Sequence, residues 1–130
     1  VPLDPEDFLV DWERKVEQQT AMTTELSRRM QDTRAAAESR GGEVVVTVDQ
    51  SGGLAALTLT DRALRLSPGE LAELILETSR RAQARLAERM TELVTGIYGP
   101  GSDTANFIGG AYAEQFPPPP EDDETEERRR

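Results

Sequence analysis

Residues 79–89, SRRAQARLAER, hold Arg80, Arg81, Arg85 and Arg89 against a single acid, Glu88. That stretch carries +3 in a chain whose total is -10. Arg81, Arg85 and Arg89 are four apart, so on a helix they form a ridge along one face. Guanidinium forks match phosphate oxygens in shape and charge. Contacts of that kind give binding that is indifferent to base sequence and falls steeply with salt. Arg28 and Arg29 make a smaller pair near the N-terminal end. The plainer reading of the same residues is a solvated helix face, and Glu77, four residues before Arg81, has the right sense for an ion pair. The total charge argues the same way, because a negative molecule repels a polyanion at long range.

Other chemistries find little support. The chain has no cysteine and no histidine, so disulfides, thiolate zinc sites, histidine ligands and histidine-based catalysis are excluded. No metal or cofactor is expected. Glu43, Asp49 and Asp61 cluster near a turn, where acids are commonplace. The glycines of DQSGG are not a phosphate loop, since no lysine follows and no helix starts there. An enzyme is not expected. No apolar run approaches the ~18 residues of a membrane span, and no charged-then-apolar leader opens the chain. The expectation is a cytoplasmic protein that does not enter a membrane.

The arginines must be positioned by elements, and the pattern gives three. Asp4 and Pro5 suit a helix start, Glu6 and Asp7 favour its positive end, and Leu9, Trp12, Val16, Gln19, Thr23, Leu26 and Met30 follow helical spacing to about residue 32. Residues 33–42 are ambiguous, either helix or a short strand ending near Arg40. EVVVTV is the best strand, with Val44, Val46 and Val48 on one face and Val45 and Thr47 on the other. DQSGG turns the chain into a return strand over 54–60, with Leu57 and Leu59 on one face. SPGE starts a second long helix by a capping box, and that helix runs to about Thr95. Beyond Pro100 no period survives, and four prolines, Pro117 to Pro120, precede EDDETEE. Residues 1–99 are therefore expected as the α+β domain, a long helix, a small antiparallel sheet of two or three strands, and a long helix. Residues 100–130 are expected as a disordered acidic and proline-rich tail, in which Phe107, Ile108, Tyr112 and Phe116 are either scattered or a docking motif. A small sheet with both faces largely apolar is best satisfied by a second copy of the chain. Val44, Val46, Val48, Leu57 and Leu59 are the expected dimer interface.

The run from EVVVTVDQSGG through SPGELAEL to RRAQARLAERM resembles the YbaB/EbfC family of bacterial nucleoid-associated proteins. The likeness covers about residues 19–93 and lies in the order of strand, turn and capped helix rather than in particular chemical groups. It implies a homodimer with a shared sheet and helices projecting like tweezers. It also implies a nucleoid location and double-stranded DNA bound with low sequence specificity, which would assign that contact to Arg80, Arg81, Arg85, Arg89, Arg28 and Arg29. The alanine- and arginine-rich helix and the acidic tail look closer to actinobacterial, EspL-like relatives linked to type VII secretion. The alternative is accordingly an accessory module of the same fold that grips a protein partner instead of DNA.

Overall fold

A computed structural model describes residues 5–119. The capping role read for Asp4, and the acidic run after Pro120, lie outside them. The order is helix α1 (Pro5–Asp32), strands β1 (Ala35–Glu38), β2 (Val44–Val48) and β3 (Leu54–Leu59), a single 3-10 turn (Ala63–Arg65), helix α2 (Pro68–Tyr98) and helix α3 (Asp103–Gln115).

Local chemistry fixes each boundary. Helix α1 ends where the Thr33 hydroxyl donates to the Arg29 carbonyl at 2.6 Å. The Asp49 carboxylate accepts from the amides of Ser51 and Gly53 and from the Ser51 hydroxyl, which ties the β2–β3 turn. Those bonds, the Ser51 hydroxyl first, hold its carboxyl below the ordinary value. Gly52 supplies the positive φ of 84° that the turn needs. At the start of α2 the Ser67 hydroxyl and the Glu70 carboxylate close a capping box, with Pro68 in the first position. Gly96 does not stop the helix; Gly99, at φ 91°, does.

The sheet is an antiparallel meander in the order β1-β2-β3. Val44, Val46 and Val48 lie opposite Leu59, Leu57 and Leu54 of β3, on one face. Helix α2 packs across that face over β1 and β2. Thr78, Ala82, Leu86 and Met90 of α2 are buried, as are Ala35 and Ala37 of β1 and the three valines. The alanines of β1 let the helix approach closely. A second cluster forms where Leu26 of α1, Val94 of α2 and Ala105 of α3 meet, with Met30, Tyr98 and Ile108 around them.

One ambiguity is settled, and two further features bear on the expectations. The ambiguous segment after α1 contains a strand, β1, so the sheet has three strands. The three valines, expected at an interface with a second copy, are no more than 1% exposed beneath the chain's own α2. Leu57 and Leu59 remain open at 40% and 37%. Finally, Asp103–Gln115 is a helix although the segment was expected to be disordered. The Ser102 hydroxyl caps it by accepting from the Ala105 amide. Gly109, which broke the apolar pattern, is what lets α3 come against α2: a Cβ there would stand 2.9 Å from the Thr91 hydroxyl. Tyr112 and Phe116 then reach the hairpin. The Tyr112 hydroxyl donates to the Gln50 carbonyl at 3.0 Å, and the Phe116 ring covers Gly52.

Gly52→Ala is expected to destabilise the protein by about 1–2 kcal/mol, because its φ is left-handed and a Cβ would run into Phe116. Urea denaturation of Gly52→Ala, Phe116→Ala and the double variant checks it. The double variant should fall short of additivity by about 0.5 kcal/mol or more. Additive losses would mean that the ring does not seat on the turn.

Candidate nucleic-acid interface

Helix α2 has two flanks beside its buried face. On one, Arg81, Arg85 and Arg89 lie in a row along β1. On the other, Ala84, Ala87, Glu88, Thr91 and Glu92 line a groove closed by Ala113, Phe116 and Pro118. The first flank carries these three arginines, with Glu73 and Glu77 earlier in the same row; the second carries Glu88 and Glu92, and Arg80, one turn before Ala84, falls on that side.

The row is tied to the sheet. Strand β1 is an edge, and the Ser39 amide donates to the Val44 carbonyl at 2.8 Å. In an antiparallel ladder every second residue points its backbone groups at the partner strand. The carbonyls of Arg34 and Ala36 therefore point away from β2. Arg85 Nη1 donates to the Ala36 carbonyl at 3.1 Å, and Arg89 Nη1 donates to the Arg34 carbonyl at 2.8 Å. Spacing of four on the helix meets spacing of two on the strand, because both advance about 6 Å. Each guanidinium carries five N–H donors, so most of each fork still faces water. Both side chains are exposed, and their planes are held by the sheet rather than left to swing.

Arg80 is exposed and Arg81 half-buried. Among the described residues neither makes an ion pair, and the expected Glu77–Arg81 pair is not formed. Arg28 and Arg29 differ. Both converge on Glu25 Oε1, at 2.7 Å from Arg28 Nη2 and 2.8 Å from Arg29 Nε. The Arg28 hydrogen bond, with Arg29 beside it, holds the Glu25 carboxyl below its ordinary value, and Arg28 is raised in turn. The trio carries only +1. Helical spacing also puts Arg28 on the side of α1 away from Leu26 and Met30, hence away from α2. The two arginine groups thus do not form one surface. Among the described residues no cluster of acids, histidines or cysteines has the makings of a metal site, and no helix is long and apolar enough to cross a membrane.

Sequence reasoning missed two features that bear on function. Residues 5–21 of α1 are exposed throughout, and β3 is exposed along its whole length. The first depends on how far α1 is offset along α2, since α2, at 31 residues to 28, is the longer helix. The second depends on where α2 crosses the sheet, which spacing along the chain does not tell.

Residues 10–101 match the model of the YbaB/EbfC DNA-binding family. Helix α3 lies beyond that match. Among solved structures, the chain is similar to an uncharacterized protein, HP0035, from Helicobacter pylori, at 20% identity and a TM-score of 0.49, covering 75% of this chain and 100% of that one. No curated protein matches the chain.

Removing both guanidinium anchors on the β1 edge, in Arg85→Ala with Arg89→Ala, is expected to lower stability by about 1–2 kcal/mol. Arg80→Ala with Arg81→Ala should stay within about 0.5 kcal/mol of the parent. Equal decreases in thermal or urea unfolding would contradict the edge role of Arg85 and Arg89.

Proposed function

The chain belongs to the YbaB/EbfC DNA-binding family, and on that footing we propose that it binds duplex DNA by its phosphates, in the nucleoid, through Arg80, Arg81, Arg85 and Arg89. The observation that carries the reading is the basic flank of α2. Arg85 and Arg89 reach the rim of a rigid strand, each anchored by a single donor, and Arg81 stands one turn before them in the same row. Preset forks lose less freedom when they meet phosphate oxygens than free side chains would. Arg28 and Arg29 contribute less, because Glu25 already takes their donors. No base-reading element is required, which fits low sequence specificity. The reading involves no catalysis.

We further propose a homodimer joined through β3. Among the described residues that strand is an edge of the sheet, and on the part of the α2 face that α2 does not reach it carries Leu57 and Leu59, with Leu54 at its end. An exposed apolar edge strand is a template for another strand. A dimer would present the basic flank twice and double the number of phosphates engaged.

A rival reading, an accessory module that grips protein and not DNA, draws on the total charge of -10. Duplex titrations at several salt concentrations separate the two. For phosphate-led binding, log affinity falls linearly with log salt at about -0.9 per phosphate neutralised. Arg80→Ala with Arg81→Ala is expected to flatten the slope by about one for each phosphate no longer neutralised, without unfolding the chain. Deleting residues 121–130 removes a net -3 while leaving α3 in place, and should tighten binding. No duplex binding at low salt by either form would leave the protein-gripping reading as the better one.

For the assembly, light scattering is expected to give a dimer at micromolar concentration. Leu57→Lys with Leu59→Lys should give a folded monomer, since two exposed positions change and the buried valines do not. A parent that is already a stable monomer would sink the β3 interface.

A further inference from the structure

The apolar stripe of α1 has two fates. Its C-terminal part, Leu26 and Met30, is packed against the end of α2 and α3. The Thr23 and Tyr98 hydroxyls meet at 3.4 Å, and there α2 stops. The same face runs on toward the N-terminus as Val16, Trp12, Leu9 and Phe8, which are 40–58% exposed. Residues 5–20 span roughly 24 Å at 1.5 Å per residue. This stretch is a continuation, in register, of a face that already seats a helix.

The stretch around it is acidic, with Glu13 and Glu17 along one border and Asp11 beside Lys15 along the other. Residues 5–20 hold Glu6, Asp7, Asp11, Glu13 and Glu17 against Arg14 and Lys15, a net of -3. That makes this end of α1 a poor surface for phosphate and a good one for cations. A second copy does not supply a fitting occupant. Its own α1 carries the same -3, the apolar face of its α2 lies on its sheet, and α3 has two acids, Asp103 and Glu114, and no base. Among the described residues the chain contains no open apolar helix with a basic border.

We propose that the projecting half of α1 is a docking site for a basic, amphipathic helix of a different protein, about four turns long, laid where α2 would continue. Phe8, Leu9, Trp12 and Val16 supply the apolar seam, and the flanking acids select a cationic partner. The site is separate from the arginine flank of α2 and does not depend on DNA being bound there.

Trp12 is the chain's single tryptophan and stands in the seam, so its emission reports occupancy. The probe is a three-heptad helical peptide of leucine and lysine, with a leucine and glutamate peptide of the same apolar pattern as control. With the full chain, the lysine peptide is expected to move Trp12 emission to the blue saturably and to bind less tightly as salt rises. The glutamate peptide should bind at least tenfold more weakly. Phe8→Ala with Val16→Ala should weaken the lysine peptide about tenfold or more. Asp11→Lys with Glu13→Lys and Glu17→Lys should reverse the preference between peptides. Circular dichroism checks that each variant keeps its helices, and duplex binding of the Phe8 and Val16 variant should match the parent. No shift with the lysine peptide, or equal binding of both peptides, overturns the proposal. So does emission that is blue-shifted in the chain alone and reddens on dilution, which would mean that a second copy covers the seam. A shift driven instead by phosphatidylcholine or phosphatidylglycerol vesicles would assign the face to a membrane and overturn it equally.

Discussion

A helix laid along two strands leaves the third uncovered. An α-helix with its side chains is about 10–12 Å across, and neighbouring strands are about 4.8 Å apart. Helix α2, laid over β1 and β2, therefore buries Ala35, Ala37, Val44, Val46 and Val48 and leaves β3 outside. Burying Leu86 and Met90 alone contributes about 1.5–3 kcal/mol each, so the position of α2 is set by the best-filled part of the sheet. Its basic flank then falls beside β1 and its acid-bearing flank falls toward α3. The exposed apolar strand and the arginine row are two results of the same packing choice.

Much of this arrangement was legible in local chemistry. The valine run, the glycine turn and the Ser67–Glu70 box each specify their own geometry within a few residues, and the hairpin and α2 appear where those signals stand. The arginine row was equally legible as a spacing. Its partners were not, because the carbonyls of Arg34 and Ala36 come from a strand some fifty residues earlier. Strand β1 was ambiguous because three alanines favour helix by propensity. They are strand here because an edge beneath a helix needs small side chains more than it needs good strand formers. Helix α3 was missed because Gly109 and Gly110 erase its period. Gly109 is present for close approach to Thr91, a contact between segments that no window of sequence contains. The candidate interface was thus readable as residue types and unreadable as two separate arginine groups, since only the fold shows Arg28 and Arg29 spent on Glu25.

Charge has to be taken by surface rather than by total. The chain is strongly acidic, and about half of its acids lie on the projecting half of α1, in the groove beside α3 and beyond Pro120, while Arg85 and Arg89 stand over the rim of β1. At physiological ionic strength the screening length is about 8 Å, shorter than the ~24 Å over which the projecting part of α1 extends. Surfaces that far apart keep their own character.

The anchoring of Arg85 and Arg89 has a consequence for how large an assembly can grow. A three-stranded sheet has two edges, and a chain with both available adds to its neighbours without end, as fibres do. Here the outward carbonyls of β1 are already accepting hydrogen bonds, and the arginine side chains stand over that rim. Whatever pairs with β3 meets a unit whose other edge has two of its outward carbonyls taken. If two identical edges meet about a twofold axis, each consumes the other, and growth terminates after a single addition. The arginines that stand over β1 leave the sheet with one edge more open than the other.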